Sequence, residues 1–139
     1  MNPYIRNLLV QDEGVRLKPY KDSVGLLTIG IGRCLDTVGI SAEECEYLFA
    51  NDVKHVEAQA QTFPWYASLD PVRQAVILSM LFNLGLRGLQ GFTNTLKFIE
   101  AGKYTQAADN MMVSKWAKQV GARAVRLSEM MRTGVLVRR

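Results

Sequence analysis

Residues 12–32 read Asp12-Glu13-Gly14-Val15-Arg16-Leu17-Lys18-Pro19-Tyr20-Lys21-Asp22-Ser23-Val24-Gly25-Leu26-Leu27-Thr28-Ile29-Gly30-Ile31-Gly32, and a change of character inside this stretch sets the fold class. Ahead of it, Tyr4, Ile5, Leu8 and Leu9 fall on one helical face, with Asn2 as N-cap and Pro3 at the first helical position. Gly14 can take the left-handed conformation that ends a helix, which makes Glu13 the last helical residue. From Val15 to Gly32 no helical period survives; glycines stand at 25, 30 and 32 and β-branched residues at 24, 28, 29 and 31. The pattern predicts a small antiparallel sheet with its turn near Ser23-Val24-Gly25.

Downstream the period returns to that of helices. Ser41-Ala42-Glu43-Glu44 is a capping box, with Ser41 as N-cap and Glu44 able to reach back to its amide. Cys45, Leu48, Phe49, Val53, Val56 and Ala60 then recur at helical spacing, opposite Glu43, Glu46, Asp52, Lys54 and Glu57. This long amphipathic helix ends near Thr62-Phe63-Pro64, and Asp70-Pro71 starts another. Between Val72 and Leu84 apolar residues surround the helix, which marks a buried centre, and Gly85 closes it. Shorter helices follow over 94–101, 104–112, 114–119 and 123–133. The expected fold is α+β and mostly helical, a single domain over 1–139. It has a small β-hairpin-containing lobe at 13–40, a connecting helix at 41–61, and an all-helical lobe over 62–139 that also takes the N-terminal helix. Two lobes joined by a helix leave a cleft, the usual place for a substrate.

With 139 residues, 48% of them apolar, the chain can bury a core, which excludes a disordered tail. No apolar run reaches the roughly 18 residues of a membrane span, and the N-terminus lacks the pattern of a signal peptide, so a cytoplasmic chain without membrane insertion is expected. Cys34, Cys45 and the single His55 are too few for a disulfide framework or a Cys/His zinc set. Two reduced thiols are expected, with Cys45 in the core. Seventeen basic and 13 acidic side chains give a net charge of +4, and its distribution is uneven. Residues 111–139 carry +6 against −2 for the first 110, a basic stretch suited to a polyanionic partner.

Asp12, Glu13, Asp22 and Asp36 are the carboxylates nearest the sheet. Glu13 ends a helix, where the macrodipole opposes negative charge, whereas Asp22 sits in a turn whose amides can keep it ionised. Two carboxyls in contrasting environments form the pattern of glycoside hydrolysis. The whole of residues 12–32 resembles the active-site signature of the phage-type lysozymes, glycoside hydrolase family 24: Glu-Gly, then Asp, then Thr-Ile-Gly-Ile-Gly. The resemblance continues through Ser68-Leu69-Asp70, Phe82-Asn83-Leu84-Gly85, Gly91-Phe92-Thr93-Asn94-Thr95, Ser114-Lys115-Trp116 and Arg132-Thr133-Gly134.

That resemblance implies a peptidoglycan hydrolase acting on the β-1,4 bond between N-acetylmuramic acid and N-acetylglucosamine, without metal or cofactor. Glu13 matches the general acid, Asp22 the carboxylate across the scissile bond, and Thr28 the residue that helps hold the attacking water. Phe82, Thr95 and Asn110 match positions lining the saccharide cleft, and Arg123 matches a basic residue that can pair with the catalytic acid and orient it. A core role for Phe82 and an ordinary surface role for Arg123 are the competing readings. The implied partners are peptidoglycan glycan strands, with no nucleic acid, and the chain is expected to be a monomer. The implied setting is the host cytoplasm, with action on the bacterial cell wall once another protein has permeabilised the membrane. Family members commonly have histidine after Gly-Ile-Gly, where this chain has Arg33, and the short segment between Arg33 and Ser41 leaves no room for an extra helix.

Two alternatives use the same residues differently. A lytic transglycosylase would employ the same glutamate but needs no counterpart of Asp22. A catalytically silent wall-binding phage module would need neither carboxylate.

Overall fold

Gly14 stops the first helix as its position requires: its φ is 75° and its N–H returns to the Val10 carbonyl at 2.8 Å. In the computed structural model, which describes residues 1–138, this helix, α1, is Ile5–Glu13. Its start is later than the proline suggests. Asn2 Oδ1 accepts the Tyr4 amide at 2.9 Å, so the side chain expected to cap a helix from Pro3 instead closes a turn ahead of one from Ile5.

The segment without helical period forms a three-stranded antiparallel sheet, β1 (Arg16–Lys21), β2 (Leu27–Gly30) and β3 (Arg33–Cys34), in that order. Tyr20 and Cys34 flank Thr28 on either side, and the register of β1 slips between Arg16 and Tyr20. Pro19 lies in that slip, where a residue without an N–H is tolerated. The turn at Ser23-Val24-Gly25 is where the sequence places it.

Helix α2 (Ala42–Ala60) opens on the capping box: the Glu44 amide donates to Ser41 Oγ at 3.1 Å and the Ser41 amide to Glu44 Oε1 at 2.9 Å. Its burial is uneven. Val56 and Ala60 are buried, whereas Leu48, Phe49 and Cys45 are exposed, so Cys45 is not the core thiol its helical position suggested. Helical spacing places these side chains on one stripe, but only the second half of the stripe meets the core. Packing divides the chain inside this helix. Met1–Phe49, with α1 and the sheet, form one compact unit, and the residues from Ala50 on form the other.

The second unit holds α3 (Pro71–Gln90), α4 (Thr93–Glu100), α5 (Tyr104–Met112), α6 (Lys115–Val120) and α7 (Ala122–Thr133). Asp70 caps α3 by accepting the Arg73 amide. Val76, Ile77, Met80 and Leu81 of α3 pack with Ile99, Met111, Trp116 and Met131 in its core. Ala75 and Phe82 face outward, so α3 carries a wide apolar stripe rather than an apolar surface all round. Gly85, at φ 73°, breaks the helix as expected, but the chain re-enters helix to Gln90 with Leu89 buried. The end of α7 is fastened by Arg73, which donates to the carbonyls of Met131 at 2.7 Å and Arg132 at 3.0 Å and lies 3.8 Å over the Tyr104 ring. No single helix among the described residues is long and apolar enough to cross a membrane.

Candidate active site

In the first unit the three candidate catalytic residues are held by the helix stop and the hairpin. Glu13 ends α1, and its side chain lies over Gly32: a Cβ at that glycine would come within 2.7 Å of Glu13 Cγ. Gly32 also has φ +70°, a conformation side-chain-bearing residues rarely adopt. The Gly-Ile-Gly run therefore brings bare backbone up to the glutamate.

Asp22 and Thr28 are locked to one peptide, that of Leu26. Asp22 Oδ1 accepts the Leu26 amide at 2.8 Å and the Val24 amide at 3.0 Å. The Leu26 carbonyl accepts the Asp22 amide at 2.9 Å and the Thr28 hydroxyl at 3.0 Å. The two hairpin amides anchor one oxygen of Asp22, and Oδ2 has no hydrogen-bond partner among the described residues. Thr28 is only 3% exposed in the central strand, and its single hydroxyl proton is committed to Leu26. Its remaining capacity is as an acceptor. Asp22 Oδ2 and Thr28 Oγ1 are thus two acceptors carried by one hairpin, each on a side chain bonded to the Leu26 peptide.

Arg33 has its own partner. Its guanidinium pairs with Glu44 at 2.5 Å and also reaches the Gly39 carbonyl at 3.3 Å. The Arg33 hydrogen bond first, and then the Ser41 amide and hydroxyl, hold the Glu44 carboxyl down at about 2. The residue standing where a histidine is commonly found therefore ties β3 to the start of α2.

The second unit holds the candidate saccharide contacts. Asn110 lines a cavity of about 400 Å³ together with Thr93, Asn94, Val113 and Ser114. Buried Thr95 donates to Asn110 Oδ1 at 2.5 Å, which fixes the amide and leaves its NH₂ group to donate. Phe82 is 45% exposed and lines a separate groove, so it is not the core residue that its helix suggests. Arg123 donates to the Ser79 carbonyl at 3.2 Å and to its hydroxyl at 2.9 Å, which joins α7 to α3. The structure thus gathers Glu13, Asp22 and Thr28 in one unit and pairs Thr95 with Asn110 in the other.

Sequence reasoning missed three supports of these residues. The Leu26 backbone is one; a main-chain hub leaves no mark in side-chain identity. The contact of Gly32 with Glu13 is another, although the glycine itself was visible. The third is the bond from the Trp116 indole to Asn83 Oδ1 at 2.6 Å, which fixes the last turn of α3 before Gly85, the turn that carries Phe82.

Comparison with known proteins gives a consistent result. The Phage lysozyme family model matches residues 10–139. The chain is similar to a probable T4-type lysozyme of Dictyostelium discoideum, 30% identical over 162 residues and covering 95% of each chain. That span exceeds the 139 residues of this chain, so the relative carries insertions. It is also similar to the pre-baseplate central spike protein of Enterobacteria phage T4, 27% identical over 97% of this chain but only 28% of the relative. A third relative is the SAR-endolysin of Escherichia phage Mu, 29% identical over 84% of this chain and 67% of the relative.

Proposed function

The chain belongs to the phage lysozyme family, and from that premise we propose that it hydrolyses peptidoglycan at the β-1,4 bond between N-acetylmuramic acid and N-acetylglucosamine. The observation that carries this reading is the pair of acceptors, Asp22 Oδ2 and Thr28 Oγ1, fixed on the Leu26 peptide. A water donating one proton to each presents its lone pair to the anomeric carbon. Glu13 protonates the departing glycosidic oxygen, the C–O bond breaks, and the water's proton passes to Asp22. Water enters on the face opposite the leaving group, so the product forms with inverted configuration. Phe82, Thr95 and Asn110 serve as saccharide contacts, and the setting is lysis of a bacterial host.

The transglycosylase alternative is weaker because that chemistry uses the sugar's own hydroxyl and leaves the two acceptors without work. Replacing Glu13 with Gln tests the assignment, since it deletes the transferable proton and keeps the shape. Clearing of permeabilised cells should fall at least about 10²-fold with an unchanged melting curve. Activity within about threefold of the parent would remove Glu13 from the role, given that general acids contribute far more.

A further inference from the structure

The face of the sheet opposite to that of Thr28 carries a groove that the proposed chemistry does not use. Thr28 pairs with Cys34 and Ile29 with Arg33, and successive residues of a strand point to opposite faces. Ile29 and Arg33 line the groove from the sheet, and the first two turns of α2 line it from the other side. It measures about 890 Å³ and lies wholly within the first unit. Among residues 1–49 Thr28 is the only buried side chain, so this unit has no apolar core of its own. The loop between β3 and α2 turns back onto the Cys34 carbonyl through the Val38 and Gly39 amides, at 2.9 and 3.3 Å, and adds only Leu35 and Ile40 to the lining.

The lining selects an occupant by size, polarity and charge. The volume falls within the roughly 300–1,000 Å³ of small-molecule sites, and most of the lining is branched aliphatic, which suits a saturated chain. Three charged side chains face the groove. Arg33 and Glu44 pair with each other, which leaves the Glu43 carboxylate as the net charge. Glu43 makes no ion pair among the described residues, and it stands one helical turn before Tyr47, whose side chain is 70% exposed. A carboxylate beside an exposed aromatic ring attracts an ammonium through both its charge and the ring quadrupole, and it repels a carboxylate or a phosphate.

We propose that this groove is a binding site for a small amphiphile with a saturated hydrocarbon chain and a cationic ammonium head. The chain fills the aliphatic part of the groove, and the ammonium sits against Glu43 and the Tyr47 ring. The site involves neither Glu13 nor Asp22, and it stands whether or not the protein cleaves a glycan.

The test is a titration of the full chain with n-octylammonium below its micelle concentration, followed by amide chemical shifts and calorimetry, beside n-hexylammonium and nonanoate. Octylammonium should shift residues 29–35 and 40–48 and bind about tenfold more tightly than hexylammonium, the scale of two further buried methylenes. Nonanoate carries the same eight-carbon chain on a carboxylate and should bind at least about fivefold more weakly than octylammonium, the scale of one exposed charge pair. Glu43→Gln should weaken octylammonium binding by about the same factor, while Glu46→Gln, the same change of charge outside the groove, should bind as the parent does. Glu43 is exposed, and melting curves of both variants guard against a folding artefact. Equal binding of nonanoate, no dependence on chain length, equal affinity of the Glu43→Gln variant, shifts confined to other residues, or no binding by the parent would each overturn the site. A dimer seen by sedimentation that octylammonium does not dissociate, with the shifts at 29–48 absent, would also overturn it, since a second copy would then fill the groove.

Discussion

Thr28 has one hydroxyl proton and gives it to Leu26, so whatever it does for a substrate it does as an acceptor. Valine keeps the branched shape in the central strand and removes that acceptor. Thr28→Val should therefore lower glycan cleavage by about 10²-fold, the scale of losing a positioned water contact, while Thr28→Ser should retain most of it. NMR of the first product from a soluble glycan should show the α anomer; a first-formed β anomer, or a glycosyl ester trapped on Asp22, would mean that the carboxylate attacks directly. Gly32 supports the acid on the other side. Alanine there would place a methyl group 2.7 Å from Glu13 Cγ at a φ of +70°, so Glu13 must move. Gly32→Ala is expected to lower stability by about 1–2 kcal/mol for the backbone alone and to reduce activity further than that loss explains, as denaturant titration beside a clearing assay would reveal. At this scale the candidate side chains Glu13, Asp22 and Thr28 were legible through the Glu-Gly, Asp and Thr-Ile-Gly-Ile-Gly run in which they stand, which resembles the family signature. The Leu26 peptide that organises two of them was not, since backbone hydrogen bonds do not depend on which side chain is attached.

Elements with local signals were readable, and elements fixed by distant partners were not. The capping box of α2 and the Asp70-Pro71 start of α3 are written within four residues and form as expected. Strand β3 has two residues, too few to show a period, and exists because Thr28 and Ile29 pair with it. The same holds for the Arg33–Glu44 tie between β3 and α2, which joins residues on separate elements. Glu44 is held at about 2 against an ordinary 4.5, so its contribution is complete above the ordinary value and disappears as pH falls from there toward about 2. Both partners are more than a third exposed, which keeps the effect small. Urea unfolding across that acid range should show a steeper loss of stability for the parent than for Glu44→Gln; parallel curves would show that the pair does not contribute. Arg73 is the larger stake, partly buried and bonded to two carbonyls at the end of α7. Replacing it with alanine leaves those carbonyls without their charged donor and should cost about 3 kcal/mol, read from the urea midpoint.

Across the whole molecule the charge of the last 29 residues is used in two ways. Arg132 pairs with Asp109 and Glu129 and Arg123 binds Ser79, whereas Lys115, Lys118, Arg126 and Arg138 have no ion-pair partner among the described residues; Arg139 lies outside them. A basic surface of this kind should bind anionic wall in a salt-sensitive way, since the screening length falls from about 10 Å at 0.1 M to about 3 Å at 1 M salt. Sedimentation with sacculi should weaken at high salt and on reversal of Lys115, Lys118 and Arg126 to glutamate. Equal binding under both conditions would exclude this surface from docking. The proposed reaction adds water across a glycosidic bond, and mass analysis of the fragments released from purified sacculi reads it directly. Fragments ending in reducing N-acetylmuramic acid, one water heavier per bond cut, are the predicted result, and 1,6-anhydro ends or the absence of any released fragment would contradict it.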